Sequence, residues 1–243
     1  MSDFKKYLNK YVFNTVLPGS GQKLEFKPVT TGQMKDLLTH ENEKNPARIE
    51  EILDDLINEC VITKGFDVKD IYIQDRFFLL VEIRKYTKGT KYQFELKCPD
   101  CGSQSLQSVD LNKLKVKKLK GKKTKTIELN DDISVEMGYA TRQNQIDAYN
   151  LLNLEDFSTG KQQADLGLVL TATQIISITT PDGTDKDATL EDKVYLLENI
   201  PPEQFEKIGE IRGEFGIDFS ITIKCSHCKY GHTASIPTEN FFF

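Results

Sequence analysis

From Tyr11 to Thr30 apolar and polar residues alternate on both sides of Pro18-Gly19-Ser20-Gly21, which predicts a β-hairpin around a flexible turn. The period then lengthens. Thr30 and Thr31 can cap a helix carrying Met34, Leu37 and Leu38. Asn45-Pro46 opens a second helix, on which Ile49, Ile52, Leu53, Leu56 and Ile57 fall on one face. A third helix is predicted from about Asp70 to Tyr86. There Ile71, Ile73, Phe77, Phe78, Leu80, Val81 and Ile83 cover much of the circumference, so this helix belongs at the centre of the fold.

Alternation returns twice, and both times it runs into a cysteine pair. Tyr92-Gln-Phe-Glu-Leu-Lys leads to Cys98-Pro-Asp-Cys101, and Phe219-Ser-Ile-Thr-Ile-Lys leads to Cys225-Ser-His-Cys228; a second alternating run follows each pair. Two β-hairpins meeting over one metal are expected, in the manner of a zinc ribbon. The pairs lie about 120 residues apart, further than in a compact ribbon, so the chain between them reads as an insertion whose ends the metal pins together. In that insertion strands are predicted over Thr126 to Leu129 and Ile133 to Tyr139. Helices are predicted over Thr141 to Leu152, Gln162 to Ile178, Leu190 to Glu198 and Pro202 to Phe215. The expected class is α+β: an N-terminal β-hairpin plus helices, a four-cysteine zinc ribbon built from two distant β-hairpins, and a mostly helical insertion between the knuckles. The expected division is residues 1–112 with 219–243 as a platform, and 113–218 as the inserted unit.

The 243 residues are enough to bury a core, and a net charge of −5 does not favour nucleic acid as a partner. No stretch reaches the ~18 apolar residues of a membrane span, and the N-terminus lacks a secretory core, so a cytosolic chain, or one in an assembly built there, is expected. Five cysteines fit that setting. Four have a metal to bind, and Cys60, among apolar neighbours, reads as a buried free thiol.

Cys98, Cys101, Cys225 and Cys228 form the ligand set of a closed tetrahedral site, which leaves no position for water or substrate and so implies structure without catalysis. Zinc is the expected ion, with iron as the rival for the same four sulfurs. Redox chemistry by one pair is disfavoured, because a reactive pair opens a helix and both of these close strands. His227 and His232 are near enough in sequence to replace a thiolate, but four sulfurs already complete the coordination.

Between Lys113 and Lys125 lie eight lysines, interleaved with Leu114, Val116 and Leu119. This reads as an exposed strand whose charges protect an edge, in preference to a nucleic-acid site, since no aromatic residue is present to stack bases. The terminal Phe241, Phe242 and Phe243 would together expose roughly a few hundred Å² of apolar surface in water. Two readings stay open: the rings fold back on the domain, or they dock into another chain. The second is the basis for expecting a partner-binding tail. No phosphate loop, nucleophile elbow, zinc-protease motif or dinucleotide fingerprint occurs, and Asp54-Asp55 and Asp131-Asp132 read as solvated, so no enzyme is expected.

Leu24-Glu-Phe-Lys-Pro-Val29, Gln33-Met-Lys-Asp-Leu-Leu38, Ile57-Asn-Glu-Cys-Val61, Arg76-Phe-Phe-Leu-Leu-Val-Glu-Ile-Arg84 and Phe94-Glu-Leu-Lys-Cys-Pro-Asp-Cys-Gly102 occur in that order. Together they resemble the baseplate proteins of T4-like contractile-tailed phages, a family that groups a baseplate hub subunit with a hub assembly catalyst. The resemblance is best over residues 11–155. It implies a non-enzymatic structural or assembly protein, located in the virion tail baseplate or the cytoplasm of the infected bacterial host. Its partners would be other baseplate or tail hub proteins, with no small-molecule substrate. The alternative is a zinc-ribbon regulator that binds nucleic acid, for which Lys97, Lys224 and Lys229 flank the knuckles.

Overall fold

The computed structural model describes residues 11–41, 43, 45–152, 160–209, 214–238 and 241–242. The described residues start with the expected hairpin, β1 (Phe13–Val16) paired antiparallel with β2 (Lys23–Phe26). Its turn is closed by Leu17 N–H donating to the Gln22 carbonyl at 2.9 Å and Gly21 N–H to the Leu17 carbonyl at 3.0 Å. Gly21 has φ 72°, a conformation that glycine adopts without steric cost.

Helix α1 (Thr31–Leu38) begins in a capping box: Thr30 Oγ1 accepts from Gln33 N–H, and Gln33 Oε1 accepts from Thr30 N–H at 2.8 Å. Helix α2 (Pro46–Cys60) is capped by Asn45, whose side-chain oxygen accepts from Ala47 N–H at 2.9 Å. A 3-10 turn over Val68–Asp70 precedes α3 (Ile73–Lys88), so the third helix starts three residues later than the sequence predicts. The cause is Asp67, which caps the turn by accepting from Lys69 N–H and leads the chain into extended backbone at Ile71 and Tyr72.

Then come β3 (Lys91–Lys97) with β4 (Gln104–Asp110), and the short β5 (Lys115–Lys117). The insertion contains a four-stranded antiparallel sheet: β6 (Lys125–Glu128), β7 (Ser134–Met137), β8 (Ile175–Thr180) and β9 (Gly183–Asp185) pair in that order. Helices α4 (Arg142–Leu152) and α5 (Gly160–Thr173) lie between β7 and β8 in the chain, and α6 (Leu190–Glu198) and α7 (Pro202–Gly209) follow β9. The chain closes with β10 (Gly216–Asp218), which pairs with β5, and with the hairpin of β11 (Ser220–Lys224) and β12 (Gly231–Ser235).

Two predicted helices are shorter than expected. The helix predicted to run on to Ile178 ends at Thr173, and Ile175-Ile-Ser-Ile-Thr-Thr180 is strand β8, as its β-branched composition favours. The helix predicted to Phe215 is described as far as Gly209; residues 210–213 lie outside the described residues, Glu214 and Phe215 are not helical, and Gly216 begins β10.

The apolar side chains gather in two clusters. One is built from the β1–β2 hairpin, α2, α3 and β3, and includes Phe26, Leu53, Ile57, Leu79, Ile83, Tyr92 and Phe94; Leu114 and Ile217 pack against it from the β5–β10 region. The other joins the four-stranded sheet to α5, α6 and α7 through Val135, Met137, Ala172, Ile175, Leu197 and Ile208. Phe215 sits at the junction with the N-terminal turn. Its ring stands edge-on to Tyr72 at 5.5 Å and to Tyr139 at 5.0 Å, and a Cβ at Gly19 would lie 2.2 Å from it.

Candidate metal centre

Each cysteine pair occupies the turn of a two-stranded ribbon. In the β3–β4 ribbon, Cys98 N–H donates to the Ser103 carbonyl at 2.9 Å and Gly102 N–H donates to the Cys98 carbonyl at 3.0 Å. In the β11–β12 ribbon, Cys225 N–H donates to the Tyr230 carbonyl at 2.9 Å and Lys229 N–H to the Cys225 carbonyl at 3.1 Å. The two turns therefore make the same bonds at the same offsets. The residue after the second cysteine is left-handed in both, Gly102 at φ 72° and Lys229 at φ 65°. This geometry brings both thiols of a pair to the end of the hairpin.

The two ends face one another. Sγ of Cys98 lies 3.7 Å from Sγ of Cys228, and Sγ of Cys101 lies 3.8 Å from Sγ of Cys225. All four sulfurs lie within 4.8 Å of each other, although the pairs are far apart in sequence. A tetrahedron with metal–sulfur bonds of ~2.3 Å has an edge of ~3.8 Å, so the spacing matches a four-sulfur site. The donor set fits a metal ion, and this cluster could hold one.

Two of the thiols, Cys101 and Cys225, are also poised to ionise. Ser103 Oγ lies 3.0 Å from Cys101 Sγ and 3.4 Å from Cys225 Sγ. The Cys225 thiol is pulled down to about 5, first by the Ser103 hydroxyl and then by the backbone N–H groups of Cys228 and His227. Cys101 is lowered as well, again chiefly by Ser103. At Cys228 the Tyr230 backbone pulls the thiol down, but desolvation and the three neighbouring sulfurs outweigh it and push the thiol up to about 12. Four thiols in contact cannot all lose protons cheaply unless a cation neutralises them, and a metal ion removes that conflict. The sequence pattern does not single out Ser103.

Neither histidine joins the cluster. Among the described residues it consists of the four cysteines, and His232 faces Ile223 across the β11–β12 pair with its ring stacked on Tyr230. Cys60, the fifth cysteine, is buried at the end of α2, where desolvation pushes its thiol up to about 12.

The ribbon is fastened to the helices by the C-terminal segment, which corrects the expectation of a free docking tail. Phe241 and Phe242 are 2% and 1% exposed and belong to the first apolar cluster. Phe241 packs edge-on against Tyr92 at 4.8 Å, Lys88 Nζ donates to the Phe242 carbonyl at 2.6 Å, and Tyr92 OH donates to the Pro237 carbonyl at 2.9 Å. Burying these rings inside the chain satisfies the apolar surface that would otherwise seek a partner. Phe243 lies outside the described residues.

Asp54 is a second correction. Expected to be solvated, it is 6% exposed and accepts from Arg76 Nε at 2.5 Å and from Arg142 Nε at 2.6 Å. Glu50 completes the group, its carboxylate 2.6 Å from Arg76 Nη1. This is a structural ion cluster between α2, α3 and α4, with every charge matched to an opposite one.

No helix among the described residues is long and apolar enough to cross a membrane. No curated protein and no solved structure matches the chain. A family model described as T4 bacteriophage base plate protein matches residues 8–243, which takes in the N-terminal hairpin, the insertion and both cysteine knuckles. With nearly its whole length covered by that match, the chain belongs to the T4 bacteriophage base plate protein family.

Proposed function

We propose that this chain is a non-enzymatic component of a contractile phage tail baseplate, a hub subunit or hub assembly factor, and that it works by protein–protein contacts. The observation that carries the reading is the family match over residues 8–243. A role confined to contacts is supported by the closed character of a four-sulfur site, in which a bound ion has no open position for substrate. The buried ion cluster at Asp54 also offers no poised acid or base, because each charge is engaged by its opposite.

Cys98, Cys101, Cys225 and Cys228 hold one structural zinc in this proposal, in a ribbon assembled from the β3–β4 and β11–β12 hairpins. The metal closes the loop formed by the insertion. Division into a platform of residues 1–112 with 219–243 and an inserted unit of 113–218 follows from this role, and the two apolar clusters support it. The site of action is the virion tail baseplate or the cytoplasm of the infected host.

Affinity capture of the tagged chain from infected cells, with mass spectrometry of what is retained, tests the function. Recovery of tail or hub proteins is the expected result. Recovery of nucleic acid that salt removes, with no tail protein, would favour a ribbon-type regulator instead.

A further inference from the structure

Charge is strongly segregated along this chain. Eight of its 32 basic residues lie between Lys113 and Lys125, so the rest of the molecule is far more acidic than a net charge of −5 conveys. All eight lysines are exposed, and among the described residues only Lys125 of the eight makes an ion pair, with Glu214. Protection of a strand edge accounts for Lys115 and Lys117, which lie in β5. It does not account for Lys118, Lys120, Lys122 and Lys123, which lie beyond the strand where there is no edge to guard.

The complementary surface lies on the inserted unit. A groove of about 560 Å³ between α4, α5 and α6 is lined by Leu151, Leu168 and Tyr195 together with Asp165, Glu191 and Glu198. Leu151 is 43% exposed and Tyr195 69%, so apolar surface is left open to water. None of the three acids is in an ion pair among the described residues.

Lysine is the side chain that suits such a mixture. Its aliphatic stem covers apolar surface while the ammonium reaches a carboxylate, and a tyrosine ring adds a cation–π contact. We propose that the α4–α5–α6 groove of one copy receives the lysine segment 113–125 of a second copy. Because segment and groove are different patches, the contact is head-to-tail and closes into a ring or extends, depending on the angle between copies.

Sedimentation velocity of the full chain tests this. In low salt the mass should rise with concentration, and at roughly 0.5 M salt, where exposed charges are screened, it should fall to that of a monomer. Two charge-reversed variants sharpen the test: Asp165→Lys with Glu198→Lys in the groove, and Lys118→Glu with Lys120→Glu and Lys122→Glu in the segment. Each alone should stay monomeric. Mixed in equal amounts they should associate again, because the groove of each variant is opposite in charge to the segment of the other. Tyr195→Ser, which alters no charge, should weaken association several-fold and guards against misfolding of the multiple variants. A wild-type chain that remains monomeric at high concentration in low salt overturns the proposal, as does association that persists in either charge-reversed variant alone or its absence from their mixture.

Discussion

Arg142, the first residue of α4, donates from Nε to Oδ2 of Asp54 on α2 at 2.6 Å, and the two residues are 1% and 6% exposed. The bond joins α4 to α2 at a point remote in sequence from the cysteine knuckles. Its surroundings act in the same direction: Ile73 N–H donates to the Ala140 carbonyl and Arg142 N–H to the Ile71 carbonyl, both at 3.0 Å. The insertion is thus held at its α4 end by buried charge and at its outer ends by the two hairpins that carry the cysteines.

Removing the shared acceptor should be costly. Asp54→Ala leaves Arg76 and Arg142 facing each other without the carboxylate between them, and stripping one partner from a buried ionic group costs ~3–5 kcal/mol. Arg142→Met should cost less, because Asp54 keeps Arg76. Urea denaturation of the two variants checks both the size and the order. A loss under about 1 kcal/mol for Asp54→Ala would mean that water reaches the cluster.

Deleting residues 241–243 should lower the melting temperature by many degrees in the isolated protein. Phe→Ala at a buried site costs ~3–5 kcal/mol, and two such rings seal the first apolar cluster. The single variants Phe241→Ala and Phe242→Ala, measured by thermal denaturation, separate the contributions. A melting temperature left unchanged by the truncation would contradict the packing of the tail.

The knuckles place different residue types at the same left-handed backbone position. Lys229 adopts φ 65° where its counterpart Gly102 adopts φ 72°, and a left-handed residue with a Cβ costs roughly 1–2 kcal/mol. Lys229→Gly should therefore stabilise the second hairpin, less the loss of the Lys229 Nζ bond to the Ser226 carbonyl. Gly102→Ala should destabilise the first. Opposite shifts in the midpoint of chemical denaturation are the expected outcome.

Cys60 gives the folded protein an alkaline sensitivity. Burial pushes its thiol up to about 12, above its ordinary value of 9.0, so above that ordinary value the unfolded chain loses a proton that the folded chain keeps. Stability is present below the unfolded pKa and falls as pH rises toward 12, at ~1.4 kcal/mol per pH unit. Between about pH 9 and pH 10.5, wild type should lose ~2 kcal/mol more than Cys60→Ala does. Parallel curves for the two proteins would show that Cys60 ionises freely.

The parts of this fold set by local chemistry are readable in the chain. Hairpin β1–β2 follows from alternation around Pro18-Gly19, α2 from the Asn45 cap and its five apolar positions, and the cysteine cluster from two matching knuckles. Strand β8 escapes a reading by periodicity because Ile175, Ile176 and Ile178 continue directly from an apolar helix; the run of β-branched residues to Thr180 is the signal that separates them. Asp54 escapes for a different reason. Its role depends on Arg76 and Arg142, which only tertiary packing brings together, although Glu50, Asp54 and Asn58 do form a polar stripe at i, i+4 spacing beside the apolar face of α2. The burial of Phe241 and Phe242 likewise depends on where Tyr92 and Lys88 stand.

Metal analysis of the purified chain tests the central claim, that four cysteines from two distant hairpins hold a single structural ion. The account predicts one zinc per chain, a colourless protein, and loss of the metal together with a fall in melting temperature when Cys225→Ser and Cys228→Ser are combined. Metal retained by that double variant, a red iron-loaded protein, or a metal-free protein that melts no lower than the metal-loaded one would contradict it.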